Sequence, residues 1–216
     1  PSVTTGCAVS GVSRCSAVAI SPLTNAVGEG QVGGNIGPMI KRAGYDAIVI
    51  TGRADRLVYL LVDGEQVEIR DAAALAGQRV STVYDMLEEQ LATAETNISV
   101  MQCGPAGERG VRFSCLLVDR NDAVGRTGMG AVMGSKNLRA VVVRAPKTAK
   151  PSFADPDGLK RLGALGAERL KTAEFPATLR DHGTPGIVAF QSGAGNMASF
   201  NYTSGCHPNH KNLAGE

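Results

Sequence analysis

Two glycine-rich stretches stand out in the sequence: GQVGGNIGPMIKRAGYDAIVI, residues Gly30–Ile50, and GRTGMGAVMGSKNLRAVVV, residues Gly125–Val143. Each stretch passes from a glycine-rich loop into a short helical pattern that contains a lysine, and then into an apolar run that predicts a strand. Gly33 and Gly128 occupy matching places in the two stretches. The internal repeat suggests one ligand with two similar ends, or two copies of one ligand.

Loops of this kind are suited to binding phosphate. Glycines let backbone N–H groups approach an anion closely, and a following helix presents unpaired N–H groups and the positive end of its dipole. Arg14 and Arg126 lie near the two loops in the sequence, and arginine adds charge-assisted hydrogen bonds. The alternative is that the glycines only allow a helix to pack closely on a strand. The loops supply these candidate ligand-binding glycines: Gly33, Gly34, Gly125, Gly128 and Gly130.

Composition restricts the class of protein. The chain has 216 residues, of which 43% are hydrophobic and 19% charged, so it can form a core and exceed one domain. Its net charge of +2, without a basic stripe, does not favour nucleic acid as a partner. No apolar run has the length of a membrane-spanning helix. The five cysteines include no CxxC pair, which favours free thiols in a reducing, cytoplasmic compartment over a disulfide framework or a self-contained metal site.

Hydrophobic periodicity predicts a mixture of strands and short helices. Strands are predicted at 16–20, 47–51, 58–62, 66–69, 98–102, 111–118 and 140–143. Helices are predicted at 37–42, 81–92, 130–138 and from 156 to about 171. Asp63-Gly64 is typical of a hairpin turn, GPAGERG at 104–110 indicates a second turn, and Ser81 or Thr82 is suited to cap the helix that follows it. Prolines accumulate after Ala145 and predict a linker to a second domain.

Known phosphate-binding fingerprints fit the second stretch poorly. Gly134-Ser135-Lys136 has the wrong order for a Walker loop. The spacing of Gly128, Gly130 and Gly134 resembles a dinucleotide fingerprint with one extra residue, but the predicted strand ends near Val118, well before the loop. A dehydrogenase domain that binds NAD or FAD therefore remains as the alternative, together with a non-catalytic module.

Several longer motifs resemble one family. AGYDAIVITGRA (43–54), GPAGE followed by VRF (104–113) and GRTGMGAVMGSKNLRAV (125–141) are similar to the amino-terminal domain of tungsten-containing aldehyde ferredoxin oxidoreductases. The resemblance extends from the start of the chain to about Arg144. The tail, NYTSGCHPNHKNLAGE (201–216), more loosely resembles the start of that family's second domain.

The resemblance implies an α+β fold in which two β-sheets are related by a pseudo-twofold axis, with short helices, followed by the start of a helical domain. Residues 1–145 would form the domain that binds a bis-pterin cofactor, with its first strands outside this sequence, and residues 146–216 would form the linker and the start of the second domain. In this family, two molybdopterin-type cofactors share one tungsten, and a magnesium ion bridges their terminal phosphates. A cofactor with two anionic ends accounts for the repeated loop.

The resemblance also implies roles for individual residues. Arg14, in GVSRCSA, matches the phosphate-binding arginine, and Gly33 matches a glycine whose backbone lines the phosphate. Gln31 and Ala123 match the two residues whose backbone carbonyls bind magnesium. Asp122 stands where the family has an arginine, which weakens the expected contact with the second phosphate. Arg126 or Arg120 would have to replace it.

The implied reaction is the oxidation of a small aldehyde to a carboxylic acid, with electrons leaving through a 4Fe-4S cluster to ferredoxin or a redox subunit. Molybdenum is the less favoured alternative to tungsten, and a homo-oligomer is possible. The resemblance places the iron–sulfur ligands beyond the end of this sequence. No catalytic residue is assigned within it. His182, His207 and His210 are interpreted as surface or loop histidines.

Overall fold

The computed structural model describes residues 1–215, which divide into two compact units, Pro1–Asp155 and a second unit from Pro156 onward. The first unit combines two sheets with short helices, which confirms the predicted α+β class. Its strands are β1 (Cys15–Ile20), β2 (Val27–Val32), β3 (Val58–Asp63), β4 (Gln66–Asp71), β5 (Thr96–Cys103), β6 (Leu116–Val118), β7 (Asp122–Val124) and β8 (Leu138–Pro146). Its α-helices are α1 (Ile36–Arg42), α2 (Val80–Leu91), α3 (Pro105–Glu108) and α4 (Met129–Ser135).

The two sheets of the first unit differ in size. β1 and β2 form an antiparallel pair, in which Ser16 lies opposite Gln31. The other sheet has six strands in the order β4-β3-β8-β5-β6-β7. β3 and β8 run parallel, and the remaining neighbours in this sheet are antiparallel. A Rossmann domain requires a mostly parallel sheet, so this topology argues against the dinucleotide-binding alternative.

The six-stranded sheet has an apolar core on each face, because alternate residues of a strand point to opposite faces. On one face, Val141 and Val143 of β8 pack with residues of β1, β2, α1 and α4. On the other face, Ala140 and Val142 pack with the buried side of α2. The β1-β2 pair, α1 and α4 therefore share one side of the sheet, where the two glycine-rich stretches meet.

Local sequence signals fix several elements as predicted. α2 buries Val83, Leu87 and Leu91, whose spacing of four residues places them on one face. Asp63 and Gln66 pair across the hairpin turn, and Gly64 adopts a φ of 57°. The predicted cap of α2 is wrong: the helix begins after Arg79, without a side-chain hydrogen bond to its first turn.

The predicted strand at 47–51 is wrong. These residues have no regular secondary structure, and no strand in residues 1–215 pairs with them. Ile48 and Ile50 pack against the core while Val49 is 85% exposed. The segment just after them is held instead by Lys136, whose backbone carbonyl accepts a hydrogen bond from Ala54 N–H at 3.1 Å. Apolar sequence alone does not make a strand, because a strand requires a neighbour that completes its hydrogen bonds.

Three further boundaries differ from the prediction. Residues 30–32 belong to β2 and not to a loop, so the first glycine-rich stretch begins inside a strand. Residues 111–115 lie outside the strand predicted at 111–118, of which only β6 forms. The predicted turn at 104–110 contains the single-turn helix α3, which begins at a proline, a residue favoured at the first helical position.

The second unit is helical where it has regular structure. It contains α5 (Pro156–Thr172), α6 (Glu174–His182) and α7 (Val188–Gly193), with 3-10 turns at Thr184–Ile187 and His210–Asn212. The rings of Phe200 and His207 stack with their centroids 6.0 Å apart. Within residues 1–215, no helix has both the length and the apolar character that crossing a bilayer requires.

The environments of the cysteines lead to a first testable prediction. Cys103 is fully buried in β5, and burial raises the pKa of its thiol to about 11. About one Cys103 thiol in a thousand is then ionised at pH 8. Because the thiolate is the reactive form, iodoacetamide at pH 8 is expected to label the exposed Cys206 in the native protein and leave Cys103 unmodified. Peptide mass spectrometry measures both rates, and equal labelling of the two thiols would contradict the prediction.

Candidate functional site

The glycines of β2 bring the two sheets into close contact. Gly28 and Gly30 lie on the buried face of β2. A Cβ atom on Gly30 would lie 2.3 Å from Cγ1 of Val124 in β7, and one on Gly28 would lie 2.8 Å from Cβ of Thr127. A larger residue at either position would separate β2 from the 124–127 segment, so these glycines permit the approach that forms the site.

Two adjoining cavities lie where these segments meet, and both are lined by Arg14 and Gln31. The first cavity, of about 550 Å³, is also lined by Glu29, Gly125 and Arg126. The second, of about 420 Å³, is also lined by Gly11, Ser13, Val32, Gly33, Asp122 and Ala123. Residues that are distant in the sequence, from before β1, from β2 and from β7 and the loop after it, therefore surround one polar region.

The exposed face of the β1-β2 pair forms one wall of this region. Glu29 and Gln31 lie on the exposed side of β2 because the strand alternates its side chains. The Glu29 carboxylate accepts hydrogen bonds from Ser16 Oγ at 2.7 Å and from Gln31 Nε2 at 3.4 Å. These bonds hold the Gln31 side chain along the strand. Its role in the resemblance, through the backbone carbonyl, does not depend on the side-chain amide.

The loop after β2 lies against Asp122. Gly34 has a φ of 71°, and a Cβ atom there would lie 2.7 Å from Oδ2 of Asp122. Gly34 thus combines a left-handed backbone, which glycine adopts most readily, with a close approach to a carboxylate. At Gly33 the corresponding position is 3.8 Å from Asp122 Oδ1. The backbone at Gly33 is therefore less crowded and lines the second cavity.

The loop after β7 combines open and packed positions. A Cβ atom on Gly125 would have no other atom within 4 Å, and the neighbouring Arg126 is exposed. Gly128 and Gly130 are buried, and Cβ atoms there would lie 2.1 Å from Arg112 O and 2.4 Å from Cys115 O. Gly125 and Arg126 line the first cavity, whereas Gly128 and Gly130 allow α4 to pack on the 112–115 segment.

The two arginines considered as replacements at Asp122 differ in their surroundings. Arg120 contacts Asp85 at 2.5 Å and Glu88 at 3.5 Å, and its guanidinium lies 4.7 Å from the centre of the Tyr84 ring. Arg126 lines the first cavity. Arg120 is therefore directed to the surface of α2, and Arg126 supplies the second positive charge at the site.

Two features of the site were not predicted from the sequence. Glu29 lines the first cavity and places a carboxylate beside Arg14 and Arg126. Asp122 was identified only as a departure from the family, and its contact with the Gly33-Gly34 loop was not. The alternation of VGEGQV, with Gly28, Gly30 and Val32 on one face, was the available signal for β2 and for the exposed position of Glu29.

Metal-binding side chains do not cluster in the part of the chain that the structure describes. Among residues 1–215, no group of three or more His, Cys, Asp or Glu side chains converges to hold a metal ion. The polar region around Arg14 instead offers backbone carbonyls and amides together with two arginines and two carboxylates. Such a region is suited to an anionic ligand accompanied by a hard cation.

Comparison with known proteins finds a family model and several relatives that point to the same family. Residues 1–145 match the family model described as the aldehyde ferredoxin oxidoreductase N-terminal domain. The tungsten-containing aldehyde ferredoxin oxidoreductase of Pyrococcus horikoshii is 45% identical over 127 residues, which are 59% of this chain and 21% of that protein. The Pyrococcus furiosus enzyme of the same name is 42% identical over 135 residues, 62% of this chain and 22% of that protein.

Two other relatives have different names. The aliphatic sulfonate oxidoreductase, WOR-like subunit, of Pyrococcus furiosus is 33% identical over 181 residues, 79% of this chain and 28% of that protein. A solved structure of the active site complex BamBC of benzoyl coenzyme A reductase, in complex with 1,5-dienoyl-CoA, aligns with a TM-score of 0.75 and 29% identity. That alignment covers 85% of this chain and 30% of the other.

The chain spans about a fifth of the length of the aldehyde ferredoxin oxidoreductases that it matches. The family model nevertheless covers its whole first 145 residues, including both cavity-lining segments. The family suggested by the sequence motifs is confirmed, and the chain belongs to the aldehyde ferredoxin oxidoreductase family.

Proposed function

We propose that this chain is the cofactor-binding part of a tungsten-dependent oxidoreductase that oxidises aldehydes to carboxylic acids. The observation that carries the proposal is the convergence of Arg14 with the segments 31–33 and 122–126 around one polar region. Four relatives at 37–46% identity are named as tungsten-containing aldehyde ferredoxin oxidoreductases, which supports tungsten over molybdenum.

The residues present fit a cofactor with two phosphate ends. Arg14 and Arg126 are both exposed to the cavities and are suited to charge-assisted hydrogen bonds with phosphate oxygens. A Cβ atom at Gly125 would enter open space, so the backbone there is accessible to a ligand. α1 and α4 have seven residues each, so the arginines, and not the helix dipoles, supply most of the attraction for an anion.

A magnesium ion would fit the same region through oxygen ligands. Magnesium prefers oxygen ligands and usually keeps several waters beside phosphate oxygens. Gln31 of β2 and Ala123 of β7 both line the second cavity. We assign their backbone carbonyls to the magnesium. The Asp122 carboxylate also lines this cavity and lowers its positive charge, so Arg14 carries more of the phosphate binding than it would beside a second arginine.

When bound, the tungsten centre would supply the chemistry, in which an aldehyde and water become a carboxylic acid, two protons and two electrons. A 4Fe-4S cluster would pass the electrons to ferredoxin or a redox subunit. The chain described here binds and orients the cofactor through Arg14, Gly33, Gly34, Gly125 and Arg126. Its free cysteines are consistent with a reducing, cytoplasmic location.

The test is the cofactor content of the purified protein. Replacing Arg14 by alanine is expected to lower bound tungsten and pterin by about tenfold or more, since hydrogen bonds to charged groups contribute about 1.5–3 kcal/mol. Arg14→Lys keeps the charge without the planar fork and is expected to give an intermediate content. Arg53→Ala, at an exposed arginine that does not line either cavity, is the matched control.

Elemental analysis and the fluorescence of oxidised pterin give separate readouts. Wild-type protein that contains NAD or FAD and no tungsten would support a nucleotide-dependent dehydrogenase and overturn the proposal. Protein without any cofactor would indicate a non-catalytic module. Unchanged tungsten and pterin in Arg14→Ala would remove Arg14 from the phosphate site.

A further inference from the structure

The Asp119 side chain connects two segments beside the cavities, the glycine loop after β2 and the turn before β7, to β5 in the six-stranded sheet. Asp119 is the first residue of the turn between β6 and β7. β7 contains Asp122 and Ala123, which line the second cavity. Its Oδ1 accepts hydrogen bonds from Ser99 Oγ at 2.8 Å and from Val100 N–H at 2.9 Å. Its Oδ2 accepts a bond from Asn35 Nδ2 at 3.3 Å.

The Ser99 and Val100 bonds fix the carboxylate firmly. Ser99 is fully buried in β5, near the middle of the six-stranded sheet. The Asp119 N–H also donates to Val100 O at 2.8 Å. Asp119 has a φ of 52°, in the left-handed region, where aspartate is one of the few residues tolerated apart from glycine. Its backbone and one carboxylate oxygen are thus held by β5, and its second oxygen is free to bind the glycine loop.

Asn35 is diverted from its usual function by this contact. It occupies the N-cap position of α1, where an asparagine side chain normally accepts a hydrogen bond from the first turn of the helix. Here the side chain makes no capping bond and donates to Asp119 instead. The Asn35 side chain, next to Gly34, is therefore bonded to Asp119, a residue distant in the sequence, and not to its own helix.

We infer that Asp119 is the positioning residue of the site: through Asn35 it holds the Gly33-Gly34 loop in register with the β7 segment that carries Ala123. This inference rests on the proposed function for the identity of the ligand, but the tether itself concerns only residues of this chain. Without this tether, the Asn35–Asp119 hydrogen bond, the loop would keep its glycines, but its distance from the β7 segment would no longer be fixed.

Exchanging the two partners tests the tether. Asn35→Asp removes the donor and sets two carboxylates against each other. If Asn35 were only a helix cap, this change would be neutral or stabilising, because aspartate caps as well as asparagine and a negative charge is favourable at the start of a helix. The double variant Asn35→Asp/Asp119→Asn restores one donor and one acceptor and keeps the wild-type net charge.

Hydrogen–deuterium exchange of the first hydrogen-bonded amide of α1, the Met39 N–H that donates to Asn35 O at 2.9 Å, is the first measurement. In Asn35→Asp it is expected to be about five- to tenfold faster than in wild type, the range produced by losing a hydrogen bond of roughly 1–1.4 kcal/mol. In the double variant it should return to within about twofold of wild type, since the bond is replaced. Asn35→Ala removes the bond without adding charge and should also exchange faster.

Wild-type exchange in Asn35→Asp, or exchange in the double variant as fast as in Asn35→Asp, would overturn the inference. The pterin and tungsten content of the same proteins is the second measurement and is expected to fall in Asn35→Asp and recover in the double variant. If exchange responds as expected but wild-type protein holds no pterin, the proposed function fails and the tether stands. If wild type holds pterin and Asn35→Asp changes neither measurement, the tether fails alone.

Discussion

Replacing Arg139 by alanine is expected to lower the free energy of unfolding of the first unit by about 3–5 kcal/mol. Arg139 lies in β8 with a fully buried side chain. Its guanidinium donates to Gln102 Oε1 at 3.0 Å, to Gln78 O at 3.0 Å and, closely, to Cys103 O. Alanine would leave these acceptors without the guanidinium donor, and an unsatisfied acceptor is destabilising where it is buried, as at Gln102 and Cys103.

The charge of Arg139 is balanced by Glu108 at the end of α3. The Arg139 Nε atom lies 2.8 Å from Glu108 Oε1, while its N–H is directed to Leu75 O at 3.4 Å. The ion pair is thus a close charge contact without an aligned hydrogen bond to that oxygen. Burial lowers the pKa of Arg139, and the facing carboxylate stabilises its charged form. Removing the arginine leaves the largely buried Glu108 charge without its partner, which is the costly case for a buried pair.

Urea denaturation followed by circular dichroism measures this loss. Arg139→Lys keeps a positive charge but cannot reach several acceptors at once, so it should recover only part of the stability. Arg53→Ala removes an exposed arginine from the same unit and should change the free energy of unfolding by less than about 0.5 kcal/mol. A loss below about 1 kcal/mol for Arg139→Ala would contradict the account of Arg139 as the buried link between β5, α3 and the residues before α2.

Sequence reasoning succeeded where the determining contacts are local. The spacing of Val83, Leu87 and Leu91 is a property of one helix, and Asp63-Gly64 sets its own turn. Both signals act within about ten residues, so no knowledge of the tertiary structure is needed to interpret them. The family was identified for a similar reason, because its motifs are continuous segments such as 125–141.

The prediction failed where an element depends on a distant partner. Val49 and its neighbours are as apolar as a buried strand, but no strand in residues 1–215 pairs with them. β2 escaped notice for the opposite reason, since glycine has low strand propensity. Gly30 and Gly28 are explained only by distant residues that lie against them, Val124 of β7 and Thr127 of the loop after it. The five acceptors and ion-pair partners of Arg139 come from three separate segments, and no pattern around residue 139 indicates them.

The candidate site was predicted in part for the same physical reason. Arg14, Gln31, Gly33 and Ala123 came from motif positions in the resemblance, and Arg126 came from its place beside the second glycine-rich loop. The structure places all of them around the two cavities. Glu29 and the Asp119–Asn35 contact belong to no motif and depend on pairing between strands. Motifs therefore indicate which residues line the two cavities, whereas the residues that hold those motifs in place require the fold.

Gly134→Ala is expected to destabilise the first unit by on the order of 3 kcal/mol or more, although alanine is the better helix former. Gly134 lies in α4, where α3 crosses it at Gly107. A Cβ atom on Gly134 would lie 2.0 Å from Gly107 O and 2.5 Å from Gly107 C. Both atoms belong to the backbone, so no side-chain rotation relieves the overlap, and α3 has to move.

Two opposing effects decide whether Gly134→Ala raises or lowers the free energy of unfolding. Alanine gains about 1 kcal/mol of helix propensity over glycine. Overlap with a backbone is expected to destabilise the protein by more than this gain, because α3 cannot move freely. Its last residue, Glu108, contacts Arg139 and accepts a hydrogen bond from Gly77 N–H at 2.9 Å. Moving α3 therefore disturbs the Arg139 contacts as well, and the loss through packing should exceed the gain in propensity.

Gly166 in α5 isolates the propensity effect. A Cβ atom there would have no other atom within 4 Å, so Gly166→Ala is expected to be neutral or to stabilise its helix by up to about 1 kcal/mol. The midpoints of thermal and urea denaturation should thus fall for Gly134→Ala and stay unchanged or rise for Gly166→Ala. If both substitutions stabilise the protein, α3 yields without cost and the close crossing at Gly107 does not constrain α4. If Gly134→Ala alone is destabilising, the glycine is required by that crossing, as the distances to Gly107 indicate.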